Sequence, residues 1–159
     1  MRVNIIAIGQ KMPAWAQSAY DDYAKRMPPE WKFACKALKA TPRSSLSNTA
    51  SVMQSEGQRI QDALTGMGKQ SYTIVLDERG KGLSTHALAQ VLKGCQDSGS
   101  DVAFVIGGAD GLDPEIKAKA QLLMRISDMT LPHAMVRVLL TEQIYRAWSV
   151  LANHPYHRE

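Results

Sequence analysis

Along this chain, uninterrupted apolar runs of strand length alternate with longer stretches in which apolar positions recur every three or four residues. The first spacing suits strands buried on both faces and the second suits amphipathic helices, so their alternation predicts an α/β fold. Val3–Ile8 reads as the first strand, closed by Gly9. Pro13 then sits where a first helical turn tolerates it, and Trp15, Ala19, Tyr20, Tyr23 and Met27 form the stripe of a helix that stops before Pro28-Pro29. From Trp31 to Leu38 the period changes to two. Trp31, Phe33, Cys35 and Ala37 fall on one face and Lys32 and Lys36 on the other, the pattern of a half-exposed outer strand.

Residues 39–50, with Thr41-Pro42-Arg43-Ser44-Ser45, read as a loop too short to divide domains. A helix follows on Val52, Met53, Glu56, Ile60 and Leu64 and stops in the Gly66-Met67-Gly68 turn. Tyr72–Leu76 is apolar enough for a central strand and is closed by Asp77-Glu78-Arg79-Gly80-Lys81-Gly82. The next helix starts near Ser84 and carries Leu88, Val91, Leu92 and Cys95. Val102–Ile106 is again fully apolar and runs into Gly107-Gly108-Ala109-Asp110-Gly111, after which Asp113-Pro114-Glu115 has the order of a helix start. Residues 125–132 read as a brief strand running into a loop, and a long helix spans roughly 134–152 on Val136, Leu139, Leu140, Ile144, Trp148 and Leu151. There is no internal repeat.

Length then limits the architecture. The 159 residues, 45% hydrophobic and 21% charged, suffice for one domain with a core and not for two. No window approaches the roughly 20 apolar residues of a membrane-spanning helix. The opening residues, with Asn4 inside the apolar run and no small-residue cleavage site, read as a strand rather than a signal peptide, so cytoplasmic residence is the expectation. The two cysteines, Cys35 and Cys95, have neither disulfide-framework nor metal-ligand spacing, so no metal is expected.

Charge adds a partner class. The net charge is +4, but residues 1–60 hold nine basic side chains against four acidic ones. Between Lys25 and Arg43, the six cations Lys25, Arg26, Lys32, Lys36, Lys39 and Arg43 face the single acid Glu30. That distribution suits a polyanion and equally suits a solvated basic face.

Parallel sheets bind ligands beyond the carboxyl ends of their strands, which directs attention to the loops 76–82, 106–112 and 126–133. The second loop is glycine-rich but matches neither GxGxxG nor GxxxxGK[ST], so it is either a tight turn or a place where backbone approaches a ligand. Asp77 and Glu78 are neighbours that would point to opposite faces of a strand, which suits loop hydrogen bonding better than paired acid/base work. No GxSxG elbow seats a nucleophilic serine. His133, at a helix start, has a structural or a ligand-contacting role. Arg137 and Arg146 on the same helix have solvent or dimer contacts as their plain explanation. The last residues, His154-Pro155-Tyr156-His157-Arg158-Glu159, either dock on the core or offer rings that stack on a base and a guanidinium that holds a phosphate.

Taken in order, several stretches resemble one family, the small SPOUT-class methyltransferases that methylate N3 of a pseudouridine in large-subunit ribosomal RNA. They are Ile8-Gly9-Gln10-Lys11-Met12-Pro13-Ala14-Trp15, Leu76-Asp77-Glu78-Arg79-Gly80-Lys81, Val105-Ile106-Gly107-Gly108-Ala109-Asp110-Gly111-Leu112, Thr130-Leu131-Pro132-His133 through Val136-Arg137-Val138-Leu139, Tyr145-Arg146-Ala147-Trp148 and the terminal Asn153–Glu159. The departure is residues 39–50, where Ser and Thr dilute a segment that relatives often make more basic.

The resemblance implies one domain over 1–159, a parallel sheet flanked by helices with a C-terminal trefoil knot over roughly 72–159. It further implies S-adenosylmethionine as cofactor, a homodimer, and large-subunit ribosomal RNA within the ribosome as partner. Cofactor positions carry over to Leu76, Gly107, Ile126, Ser127, Asp128, Met129, Thr130 and Leu131. His133, Arg137, His154, Tyr156, His157 and Arg158 are the unranked candidates for the chemistry. Two other classes stay open, a non-enzymatic RNA- or ribosome-binding factor and a small nucleotide-dependent oxidoreductase or hydrolase.

Overall fold

Val3, Ile5, Ile74, Val102 and Phe104 are all solvent-free, as strands covered on both faces require. The computed structural model describes residues 1–42, 44, 48–68 and 70–158. It contains a five-stranded sheet of β1 (Val3–Ile8), β2 (Ala34–Leu38), β3 (Ser71–Gly82), β4 (Asp101–Ile106) and β5 (Leu122–Arg125) in the order β2-β1-β4-β3-β5. Every pairing is parallel. The helices are α1 (Ala14–Ala24), α2 (Thr49–Thr65), α3 (Thr85–Asp97), α4 (Pro114–Lys119) and α5 (His133–Leu151).

Two cores follow from the alternation of side chains along the central strands. On one face Val3, Ile5, Ile74 and Phe104 pack with Leu88 and Leu92 of α3 and with Leu140 and Ile144 of α5. On the other, Ile6, Ile8, Val75 and Val105 pack with Ile60 and Ala63 of α2 and Ile116 of α4. The result is the expected parallel sheet flanked by helices, with β2 at an edge as its alternating pattern predicted. No helix among the described residues is long and apolar enough to cross a membrane.

Several expectations need correction. The strand expected within 125–132 lies earlier, at Leu122–Arg125, because α4 stops at Lys119 and Gln121 already bonds to Thr73 through its backbone N–H. Residues 126–132 are loop. The strand expected from Trp31 begins only at Ala34: Pro29–Trp31 forms a 3-10 turn that buries Trp31, and Lys32 is left-handed. Trp15, assigned to the inward stripe of α1, is 52% exposed. Helix α2 begins at Thr49, inside the expected loop, where the Asn48 side chain accepts from the Ser51 N–H. Within the basic segment, Lys25 and Arg26 are paired with Asp22, Lys32, Lys36 and Lys39 are exposed, and Arg43 lies outside the described residues.

Strand β3 runs past its expected end at Leu76. Its register shifts between Leu76 and Lys81, both of which pair with Met124. Gly80 lies backbone to backbone on β5, such that a Cβ there would stand 2.6 Å from the Met124 nitrogen, and Arg125 Nη1 donates to the Gly80 carbonyl at 2.7 Å. Neither backbone can retreat from a methyl group. Gly80→Ala is therefore expected to cost about 1–3 kcal/mol or more, read as a lower urea midpoint with an unchanged slope.

Candidate functional site

Because all five strands run the same way, their carboxyl ends share one rim, and the loops that leave them face each other. A cleft of about 860 Å³ opens there. Ligand pockets of roughly 300–1,000 Å³ hold small molecules of nucleoside size. Leu76 and residues 77–79 form one wall, Ile106–Leu112 a second, and Ile126, Ser127, Met129, Thr130 and Leu131 a third, with Gly9, His133 and Val136 closing the base. Two of the three walls are backbone-rich, and Leu76, Ile106, Ile126 and Leu131 supply apolar surface. Among the described residues, the backbone groups of Thr130 and Leu131 make no backbone–backbone hydrogen bond, which leaves them open to the edge of a planar ring.

Seven of the eight expected cofactor positions line this cleft. Asp128 does not: its carboxylate points to solvent and accepts from Arg125 Nε at 2.6 Å. It pins the third loop to the end of β5 rather than facing a ligand. Asp77 also has the loop role its neighbour relation suggested, accepting from the Arg79 N–H at 2.8 Å and pairing with Lys117 at 2.7 Å. Partial burial works against its charge, but these partners outweigh that and hold its carboxyl below the usual range.

His133 and Arg137, one turn apart on α5, meet at the base of the cleft. Arg137 is 3% exposed, and its Nη2 donates to the Gly9 carbonyl at 2.8 Å and lies 3.4 Å from His133 Nε2. No carboxylate pairs with it among the described residues, and its Nε is buried without a partner. Burial first, and the Arg137 charge second, push the His133 pKa below its ordinary value, opposed by a hydrogen bond to the Gly107 backbone. His133 is therefore neutral at pH 7 and bridges the ends of β1 and β4.

An unfolded chain takes up the His133 proton first, so the stability held by the neutral ring is present above the ordinary value of 6.5 and is lost as pH falls below it. The thermal midpoint is expected to fall between pH 7 and pH 5.5, and His133→Asn to flatten that slope. The depressed carboxylates Asp22, Asp77 and Asp101 add their loss only as pH falls further, below 3.8.

The remaining candidates lie elsewhere. His154 and the 3-10 turn Pro155–Arg158, which holds Tyr156, His157 and Arg158, fold back on the far end of α5. The Tyr156 hydroxyl donates to Glu142 at 2.9 Å, its ring meets Tyr145 edge-on at 4.8 Å, and Arg146 lies 4.8 Å above it. The 19 residues of α5 separate this tail from His133 by roughly 28 Å at about 1.5 Å per residue. The tail does not line its own chain's cleft. Glu142, which joins Tyr156 to Arg146 at 2.7 Å, was not among the sequence candidates. Nor was Glu56 as a site residue, although an acid within the spacing Val52, Glu56, Ile60 was the signal available.

An open parallel sheet with a nucleoside-sized cleft at its carboxyl rim, walled by glycine loop and bare backbone, defines a nucleotide- or cofactor-binding α/β protein. The chain belongs to the SPOUT methyltransferase family, whose model, described as "Predicted SPOUT methyltransferase", matches residues 1–157. It is 56% identical over 158 residues to the ribosomal RNA large subunit methyltransferase H of Cupriavidus metallidurans and 57% identical to that of Burkholderia multivorans, in each case across 99% of both chains. Among solved structures it resembles a probable methylase family protein from Haemophilus influenzae, with a TM-score of 0.57 at 13% identity over 96% of this chain and 69% of that one. A putative methylase family protein from Neisseria gonorrhoeae gives a TM-score of 0.52 at 18% identity over 91% and 81%. These two likenesses concern the fold. The family assignment makes the protein a methyltransferase.

Proposed function

We propose that this protein methylates N3 of a pseudouridine in large-subunit ribosomal RNA, using S-adenosylmethionine, as a cytoplasmic homodimer acting on the ribosome. The observation that carries the reading is the single cleft formed by three carboxyl-end loops, in a chain so close over its whole length to relatives named as ribosomal RNA methyltransferases. The residues present fit the cofactor: backbone and apolar side chains suit an adenine ring, and the volume suits a nucleoside with an extended arm. Leu76, Gly107, Ile126, Ser127, Met129, Thr130 and Leu131 would hold it, with Asp128 shaping their loop from outside. When bound, it supplies an electrophilic methyl group on a sulfonium. The reading also carries a cofactor-binding trefoil knot over roughly residues 72–159, as membership of the SPOUT methyltransferase family suggests.

The chain's own residues then have to orient the base, exclude water and take a proton. Ordering the reactants can lower the barrier by about 7–11 kcal/mol. The N3 proton lies between two carbonyls and must leave before or during attack. His133 is a poor acceptor for it, because burial first, and the Arg137 guanidinium facing its Nε2 second, depress its basicity. The tail imidazoles of His154 and His157 are better suited, with the Arg158 guanidinium stabilising charge on the carbonyl oxygens. Since the tail sits at the far end of α5 from its own cleft, it serves the cleft of a second subunit. Half-exposed Met135 and Leu139 on α5 and the exposed Trp15 on α1 give a second copy apolar surface to cover.

The test is methyl transfer from labelled S-adenosylmethionine to ribosomes from cells lacking the protein. Label in large-subunit RNA at N3 of one pseudouridine is expected. Label at another nucleotide would overturn the substrate, and cofactor binding without any transfer to ribosomes would overturn the reaction.

A further inference from the structure

Helix α2 carries an acid where its spacing asks for an apolar residue. Val52, Glu56, Ile60 and Ala63 form its inward face, and Glu56, 5% exposed, is the only buried carboxylate among the described residues. Burying a carboxylate is costly unless hydrogen bonds replace its hydration, so such a group has a local task. Its two oxygens meet two different loops. Oε1 accepts from the Thr41 N–H at 3.1 Å, and Oε2 lies so near Gly108 that a Cβ there would stand 2.7 Å away.

The neighbouring residues of α2 extend the same grip. Gly57 lets the helix close against Asp113, where a Cβ would stand 2.7 Å from the Asp113 side chain; Asp113 in turn caps α4 by accepting from the Glu115 N–H. One turn further, Arg59 Nη1 donates to the Lys39 carbonyl and to Thr41 Oγ1, both at 2.9 Å. Gly108 and Ala40 both line the cleft. One helical turn therefore holds from beneath two loops that leave different strands, the glycine loop after β4 and the segment 39–42 after the edge strand β2.

We propose that Glu56 is a positioning residue for methyl transfer, whose carboxylate sets Gly108 in the cofactor cleft and seats residues 39–42 beside it. The naming of cofactor and RNA rests on the function proposed above; the clamp itself rests on the geometry. Cofactor and RNA then meet walls fixed by one side chain, with Arg59 acting on the segment 39–42 alone.

Glu56→Gln keeps size and shape but turns an NH2 group toward either Thr41 or Gly108. The dissociation constant for S-adenosylmethionine is expected to rise by about 10-fold or more, since a small misplacement of a site wall has effects on this order. The thermal midpoint is expected to change little. Combined with Gly108→Ala, which presses on the same oxygen, the loss is expected to be smaller than the two single losses together. A purely structural Glu56 would lower the midpoint and leave the affinity of the folded protein unchanged. Wild-type affinity in Glu56→Gln, or full additivity with Gly108→Ala, would overturn the proposal. If Glu56→Gln does not fold, Glu56→Asp, which keeps the charge and shortens the reach, decides: weakened S-adenosylmethionine affinity in the folded protein supports the clamp, and wild-type affinity overturns it. Failure of the wild-type protein to bind S-adenosylmethionine or to methylate ribosomes would instead remove the functional reading and leave the clamp as packing.

Discussion

Ending the chain at Asn153 is expected to lower methyl transfer by about 10²- to 10⁴-fold, the range a positioned proton acceptor contributes, while S-adenosylmethionine still binds. The tail contacts Tyr145, Glu142 and Trp148 near the far end of α5 and nothing that lines its own cleft. His157 Nδ1 is buried there without a hydrogen-bond partner. A mixing experiment separates the two explanations of a loss. Gly107→Val blocks the cleft, because even a Cβ at Gly107 would stand 2.6 Å from Leu112 Cγ. Dimers of tail-less and Gly107→Val subunits pair an intact cleft from one chain with an intact tail from the other. They are expected to regain activity that neither parent has. A mixture as inactive as its parents would show that the tail does not serve its partner.

Arg137→Met is expected to separate stability from activity. A buried guanidinium with a single strong acceptor and no carboxylate partner is desolvated at a cost, and replacing buried ions by apolar groups of similar volume is often neutral or stabilising by about 1–4 kcal/mol. Urea unfolding is thus expected to give a stability equal to or above that of the wild type. Methyl transfer is expected to fall by about 10²-fold, because Arg137 holds the Gly9 carbonyl and the neutral His133 ring at the base of the cleft. A large loss of stability, with activity following the folded fraction, would make Arg137 a structural residue only.

Much of the architecture was legible because apolar period is a local property. Ile74, Val75 and residues 102–106 had to be covered on both faces, and Lys32 and Lys36 put β2 at an edge, so a parallel sheet and its order of layers followed without any contact being known. Reading failed where backbone contacts overrule local pattern. Lys81 and Gly82 belong to β3 only because Met124 and Arg125 pair with them. Leu122–Arg125 is a strand because it pairs with Ile74–Leu76 and again with Lys81 and Gly82, which its own spacing does not announce, and Trp15, placed on the inward stripe, stands 52% exposed.

At the site, the rule that ligands sit beyond the carboxyl ends of parallel strands chose the three loops that form the cleft, and the family resemblance put the same loops forward. Asp128 stands outside the cleft because Arg125 holds its carboxylate, and nothing in the spacing says which loop residue Arg125 takes. Glu56 passed as one member of a helical stripe, since an acid at a helical position is ordinarily solvated.

What the sequence determined alone was the set of elements, the layering of the sheet and the loops able to meet a ligand, all consequences of periodicity within a few residues of each position. Only the tertiary structure decided that Arg137 and Glu56 are buried beneath the cleft, that Gly80 lies against β5, and that the tail rests at the far end of α5 from its own cleft. Those facts are distances between residues far apart in the chain. They depend on how the strands are ordered and how long one helix is, and no local spacing contains them.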